Sequence, residues 1–268
     1  FITGDLIMLS HLPPVWQDWA KDGIDRGCTH ESLNAVLATN GFLPIGGVQP
    51  PDTPSNFVLS DSTNALEIGC HISFSLASPR IVVVDDFLTD DECEHLKSLA
   101  ASSLTRSTVV DRETGEGRMD TVRTSKGGFL SAAQTPTVAI IEERIAQFTG
   151  TPAANGEPFQ ILRYDVGDQY LAHHDWFDPT DPGSARHLRS GQRISTMLLY
   201  LNDVVAGGST QFPSLGLTVR PKKRRALYFE YPAVSGSPDS RCLHGGSPVV
   251  DGEKWVATKW AHPQRWSN

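Results

Sequence analysis

The octapeptide YLAHHDWF, Tyr170 to Phe177, sets His173 and Asp175 two residues apart among apolar and aromatic neighbours, in a chain with nine histidines. In an extended strand, residues two apart share a face and adjacent residues oppose one another. His173 and Asp175 can therefore converge on one ion, while His174 is expected to point with Trp176 to the other side. A second histidine from elsewhere in the chain would complete a two-histidine, one-carboxylate centre with open coordination positions, the donor set suited to non-haem Fe(II). His244 is the strongest candidate: it is predicted to end the short strand RCLH, and Gly245-Gly246 after it lets backbone pass close to a ligand. His187, in a predicted loop, and His262, at the end of the last predicted strand, suit surface or core roles. Lys254 follows in that last strand and sharpens the signal.

Holding such residues in register needs a sheet. After Gly156 the chain breaks into short β-rich runs separated by turn residues: FQILRY, QYLAHH, RISTMLLYL, STQF, LTV, ALYFE, RCLH and KWVATKWAH. Short strands with no helices between them indicate a closed double sheet of the jelly-roll type, braced by the helices that precede it. The fold expected is mainly β with bracing helices, a double-stranded β-helix of cupin-like form.

Upstream, IVVVDDFLTDDECEHLKSLA reads as a buried strand followed by a helix, with Thr89 as N-cap and Glu92 completing a capping box, and with Cys93, Leu96 and Leu99 buried. A second helix is centred on VAIIEERIAQFTG. The polar, glycine-punctuated run from Thr105 to Gly128 is long for a passive connection and reads as either a lid or a disordered segment. Near the start, Trp16, Trp19 and Ile24, then Leu33, Val36 and Leu37, predict a small helical hairpin ending at Asn40-Gly41. PIGGVQPPDTPSN then reads as a linker. We place the N-terminal extension and linker at residues 1–79, the main domain at 80–268, and its jelly-roll core at about 157–263.

A formal charge of -8 and a pI near 5.5 argue against a broad nucleic-acid or anionic-membrane surface, which would need clustered Lys and Arg. The one basic run, Lys222 to Arg225, reads as a solvated turn before a strand. Cys28, Cys70, Cys93 and Cys242 are scattered without CxxC spacing, so neither a disulfide framework nor a zinc knuckle is suggested, and a cytoplasmic location is expected. No uninterrupted apolar stretch approaches membrane-spanning length.

Taken together, the residues resemble the Fe(II)- and 2-oxoglutarate-dependent dioxygenases of the prolyl 4-hydroxylase type. The likeness runs from about Ile81 to His262, through VVDDFLTDDECEHLKSLA, VRTSKGGFL, FQILRYDVGDQYLAHHD, RISTMLLYLNDVVAGGSTQFP, GLTVRPKKRRALYF and LHGGSPVVDGEKWVATKW. It implies His173, Asp175 and His244 as iron ligands, Lys254 as partner of the distal carboxylate of 2-oxoglutarate, and Tyr164 and Thr196 as hydroxyls offered to the cosubstrate. Fe(II), 2-oxoglutarate and O2 are the implied cofactors, with ascorbate stimulatory. The implied reaction couples decarboxylation of 2-oxoglutarate to succinate and CO2 with hydroxylation of an unactivated C–H bond.

For the substrate, Arg123, Arg163, Tyr170, Trp176 and Asp178 are the residues expected nearest the pocket. The guanidinium groups could bind a substrate carboxylate bidentately, and Asp178 an amine. The favoured expectation is a free, proline-like imino acid such as L-pipecolate or L-proline in bacterial metabolism, with prolyl residues of a peptide as the alternative. A jelly-roll metal-binding protein without oxygenase activity is the alternative of another class.

Overall fold

A computed structural model describes residues 70–231, 233–234 and 237–267, together with Gln17 and Lys21. Apart from Gln17 and Lys21, which are helical, the predicted helical hairpin and its linker lie outside the described residues. The chain divides into two compact units, Phe1–Asn56 and Phe57–Asn268, and the candidate site belongs to the second.

In chain order, β1 (His71–Leu76) and β2 (Ile81–Asp85) precede helix α1 (Asp90–Ala100). Four short strands follow, β3 (Thr105–Arg106), β4 (Val109–Val110), β5 (Gly117–Arg118) and β6 (Lys126–Phe129), then helix α2 (Pro136–Thr149). Next come β7 (Gln160–Tyr164), β8 (Tyr170–His173), β9 (Ser195–Tyr200), β10 (Ala206–Gly207), β11 (Thr210–Phe212) and β12 (Leu217–Val219). The run ends with β13 (Ala226–Glu230), β14 (Ala233–Val234), β15 (Ser237–Pro238), β16 (His244–Gly246), β17 (Val249–Asp251) and β18 (Lys254–Ala261). An eight-stranded sheet has the order β1-β2-β13-β9-β18-β7-β6-β3, and a four-stranded sheet the order β12-β11-β16-β8. The result is the sheet-rich double-stranded β-helix expected from the strand pattern.

Strand alternation divides the core in two. Val82 and Val84 of β2, Met197 and Leu199 of β9 and Ala257 of β18 pack under the helices with Cys93, Leu96, Val138, Ile141 and Phe148. Their neighbours Ile81, Val83, Tyr200 and Val256 face the small sheet and pack with Phe212, Val219 and Val249. Each fully buried aliphatic or aromatic side chain contributes about 1.5–3 kcal/mol.

The helices are fixed by local chemistry. Thr89 Oγ1 accepts from the Glu92 amide and Glu92 Oε2 from the Thr89 amide, which is the capping box read from the sequence. The same Glu92 carboxylate takes a two-point grip from Arg144 of α2 at 2.7 and 2.8 Å, so the cap also joins the helices. Thr135 caps α2 with Pro136 in its first turn, and Gly150 ends it at φ 72°.

Three expectations change. His71–Leu76, left in the N-terminal extension by the 79/80 boundary, is an edge strand of the large sheet paired with β2. Ile72, Phe74 and Leu76 alternate along it, with Ile72 and Leu76 half-buried and Phe74 exposed. RCLH is not a strand: Ser240–Cys242 is a 3-10 turn, and His244 begins β16. Lastly, Lys222–Arg225 is the turn into β13, yet it is neutralised rather than merely solvated. Arg225 holds Asp85 at 2.8 Å, Arg224 holds Asp86 at 3.1 Å, and Lys223 bridges Asp90 and Glu94 at 3.0 Å. Among the described residues no helix is long and apolar enough to cross a membrane.

Candidate active site

β8 and β16 pair antiparallel with His173 directly opposite His244. The strand ends at His173, and Asp175 lies in the bend just beyond it, so the carboxylate joins the histidines through a turn as much as through alternation. Ligand atoms of His173, Asp175 and His244 all lie within 4.8 Å of one another. His173 Nδ1 donates to the Leu171 carbonyl at 2.9 Å and His244 Nδ1 to the Cys242 carbonyl at 3.0 Å. A carbonyl can only accept, so both rings carry their proton on Nδ1 and turn an Nε2 lone pair toward Asp175, at 3.4 and 3.6 Å. Burial and the neighbouring His173 bring His244 down to about 4, against the pull of Asp175, which keeps the ring neutral. Two neutral imidazoles and one carboxylate fit a divalent metal of the Fe(II) kind. His174 is outside the cluster and lines the outer groove instead.

Asp175 is held by its far oxygen. Oδ2 accepts from Thr196 Oγ1 at 2.7 Å, Tyr231 Oη at 2.8 Å and Trp260 Nε1 at 2.8 Å, which spends both hydroxyl protons on the carboxylate and leaves the Thr196 and Tyr231 oxygens side by side. Burial alone would raise this acid, but positive charge on His244 and His173 when those rings are protonated, and on Arg193 behind, holds it well below the ordinary range. Arg193 is stacked over Trp260 at 3.9 Å and over Phe177 at 4.6 Å. Glu157 takes its Nε and Nη2 at 2.6 and 3.0 Å and pairs with His262 at 2.9 Å.

Beyond the triad lies an inner cavity. β18 presents Lys254, Val256, Thr258 and Trp260 to it on one face, and β7 presents Leu162 and Tyr164. Lys254 and Tyr164 are cross-strand partners, with the ammonium 5.2 Å from the phenol ring centre. Lys254 is buried, and desolvation alone lowers its ammonium to about 8. Among the described residues it has no carboxylate partner, so it is a cation awaiting an anion.

The remaining predicted residues divide. Arg123 and Tyr170 line the inner cavity, and Tyr170 stacks on His173 at 3.7 Å. Trp176 and Asp178 line the outer groove together with Tyr170. Arg163 does not reach either: alternation on β7 turns it away from Tyr164, onto Asp165 at 2.9 Å and Glu253 at 3.0 Å. Thr196 lines neither cavity, because its hydroxyl is committed to Asp175; Thr210, which accepts from Tyr200 at 2.7 Å, is the threonine that lines the inner cavity. Sequence reasoning missed Tyr231, Trp260, Arg193 and Glu157. For Trp260 a signal existed, its place on the Lys254 face of an alternating strand, whereas Tyr231 lies just past β13 with no motif.

The outer groove, of about 940 Å³, opens beside His173 and Asp175. One wall is the hairpin of β4 and β5, which pair with each other, and the other is the segment from His174 to Ser184. The walls meet: the Gly183 amide donates to the Arg112 carbonyl at 2.8 Å, His187 Nε2 to the Gly115 carbonyl at 3.0 Å, and Arg186 pairs with Glu116 at 2.5 Å. The 105–128 run thus includes an ordered hairpin that lines the groove.

Comparison with known proteins agrees with this geometry. Residues 159–262 match the model of the 2OG-Fe(II) oxygenase superfamily. Prolyl 4-hydroxylase 5 of Arabidopsis thaliana is 45% identical over 203 residues, covering 69% of this chain and 68% of that protein. Prolyl 4-hydroxylase 1 of the same plant is 45% identical over 198 residues, covering 68% and 69%. Among solved structures, a 2OG complex of the viral collagen prolyl hydroxylase of Paramecium Bursaria Chlorella virus-1 is similar with a TM-score of 0.53 at 26% identity, over 67% of this chain and 94% of that one. With the sheet, the His-Asp-His cluster and these relatives in agreement, the chain belongs to the 2OG-Fe(II) oxygenase superfamily, as a dioxygenase of the prolyl 4-hydroxylase type.

Proposed function

We propose that the protein hydroxylates proline residues within a polypeptide, using Fe(II), 2-oxoglutarate and O2. The observation that carries this reading is the outer groove. At about 940 Å³ it lies at the upper end of the range for small-molecule sites and far exceeds what one free imino acid fills. It suits an extended segment laid between hairpin and insert, with one residue presented to the triad. The names of the relatives, prolyl 4-hydroxylases and a collagen prolyl hydroxylase, support the same choice. The sequence-based preference for a free imino acid gives way to the peptidyl alternative.

In this reading His173, Asp175 and His244 hold the metal, and Lys254 neutralises the distal carboxylate of 2-oxoglutarate, with Tyr164 beside it. The bound metal and cosubstrate supply the oxidising chemistry that replaces an unactivated C–H bond with C–OH. The chain's own work is to orient and to exclude water. Tyr231, Trp260 and Thr196 fix the Asp175 carboxylate, and the two backbone carbonyls fix the imidazoles. Tyr170, Trp176 and Phe177 line the groove with aromatic surface against which a proline ring can pack.

The test is a mass screen with Fe(II), 2-oxoglutarate and ascorbate, offering proline-rich and collagen-like peptides beside free L-proline and L-pipecolate. Gain of one oxygen on the peptides, with matched succinate, is the expected result. Turnover of the free acids with none on peptides would reverse the assignment.

A further inference from the structure

We infer that Arg123 is a second cation of the cosubstrate cavity, a positioning residue that selects for a dicarboxylate, and not a reader of the hydroxylated chain. The inference rests on the 2-oxoglutarate chemistry of the family and adds a group to it. Arg123, in the stretch between β5 and β6, is only 6% exposed and lines the inner cavity with Lys254 and Tyr164, yet it takes no part in lining the outer groove. Its fork is poorly satisfied for so buried a charge. Nη2 donates to Gln160 Oε1 at 2.8 Å, Nη1 reaches the Thr108 carbonyl only at 3.4 Å, and Nε has no partner among the described residues.

Two buried cations thus line one cavity, and among the described residues neither ion-pairs with a carboxylate. Burying a charge without a partner is expensive, and an unmatched pair of cations more so. The cavity's remaining carboxylate, Asp175, is at the triad and already takes three donors. A ligand with a single carboxylate at the metal would leave both cations bare, whereas a dicarboxylate brings charge to them.

Arg123 also acts through Tyr164. Burial raises the Tyr164 hydroxyl, and the nearby Arg123 charge, with Ser125 beside it, opposes that rise. A guanidinium carries donors only, so the phenol oxygen can face Arg123 only as an acceptor, which leaves the phenolic proton free to turn to an entering carboxylate. The Arg123 group also lies 4.7 Å from the centre of the Tyr170 ring that stacks on His173, which ties the far end of the cavity to the triad.

The test compares two ligands of equal chain length, 2-oxoglutarate and 2-oxopentanoate, which lacks the distal carboxylate. Each is titrated anaerobically into Mn(II)-loaded wild-type protein, Arg123→Gln and Arg123→Lys, followed by calorimetry. A charged hydrogen bond lost from the cavity predicts that Arg123→Gln weakens 2-oxoglutarate by about tenfold or more while 2-oxopentanoate changes about twofold at most. Arg123→Lys keeps the charge without the fork and recovers part of the loss, and it serves if the glutamine variant fails to fold. Equal weakening of both ligands, which a merely structural role gives, would overturn the inference. So would unchanged 2-oxoglutarate affinity with a raised KM for a proline peptide. Failure of wild-type protein to bind 2-oxoglutarate at all would instead sink the cosubstrate assignment itself.

Discussion

Tyr231 Oη donates to Asp175 Oδ2 at 2.8 Å across 56 positions of sequence, and it does so beside Thr196 and Trp260 on the same oxygen. With three donors, Oδ2 is saturated, and Oδ1, 3.4 Å from His173 Nε2, is left as the oxygen free to bind a metal. Burial and the Asp175 charge raise the Tyr231 hydroxyl well above its usual range, so it stays a donor at every working pH. Groups that orient a metal ligand are typically worth about 10–100-fold in metal affinity. Tyr231→Phe is therefore expected to weaken binding of Fe(II) or Co(II), titrated anaerobically, by about that factor, with the apo melting temperature little changed. Unaltered metal affinity would remove Tyr231 from this role.

Lys254 predicts opposite pH responses for ligand binding and for stability. Its folded-state value of about 8 lies below the ordinary 10.5, with desolvation as the cause. In the cosubstrate-free protein the ammonium is present below pH 8 and lost above it. The affinity for 2-oxoglutarate should fall as pH rises through 8, approaching about tenfold per unit. Stability runs the other way: the burden of a buried charge is fully present below pH 8 and is relieved between 8 and 10.5, because the unfolded chain then binds more protons. Lys254→Met should abolish both slopes, read by calorimetric titration and by denaturant melts across that window.

Most of this site was legible because it rides on strand alternation. Lys254, Val256, Thr258 and Trp260 share one face of β18, and His173 sits opposite His244 because two strands of one sheet pair there. The same rule, applied to β7, would have turned Arg163 away from Tyr164, and the sequence reading did not apply it. Thr196 was expected from the resemblance to offer its hydroxyl to the cosubstrate, but Asp175, arriving from a bend after β8, takes it. Tyr231 and Glu157 were illegible for a different reason. Each acts through contacts with residues far away in the sequence, and no periodicity marks such contacts in advance. The β1 strand does carry alternation, in Ile72, Phe74 and Leu76, and the sequence reading did not use it because the 79/80 boundary put the segment in the extension.

Glu157 predicts an acid-dependent weakness. Burial would raise its carboxyl, but Arg193 and His262 hold it at about 2, well under the ordinary 4.5. Its contribution to stability is fully present above pH 4.5 and is lost as pH falls from there toward 2. Glu157→Gln leaves the Arg193 guanidinium buried without its counter-charge, which costs about 3–5 kcal/mol. Urea melts should show that loss at pH 7, together with a shallower decline below pH 4.5 than in the wild type. A wild-type acid slope retained in the variant would place the titrating group elsewhere.

The latch between hairpin and insert predicts an effect confined to the outer groove. A Cβ on Gly183 would lie 2.2 Å from the Gly115 amide nitrogen and 2.9 Å from the Arg112 carbonyl oxygen, both backbone atoms that no rotamer can move aside. Gly183→Ala must therefore push the hairpin away and break the hydrogen bond from Gly183 to Arg112. The Arg186–Glu116 pair is too exposed to hold the walls together alone, since such pairs are worth about 0–1 kcal/mol. Overpacking of about 1 kcal/mol or more translates into a rise of roughly fivefold or more in KM for a proline peptide. The inner cavity is lined by none of the latch residues, so affinity for 2-oxoglutarate should not move. Steady-state kinetics on a peptide, set beside anaerobic cosubstrate titration, separate the two. A KM unchanged by the added methyl would mean that the chain enters the groove without passing under the hairpin.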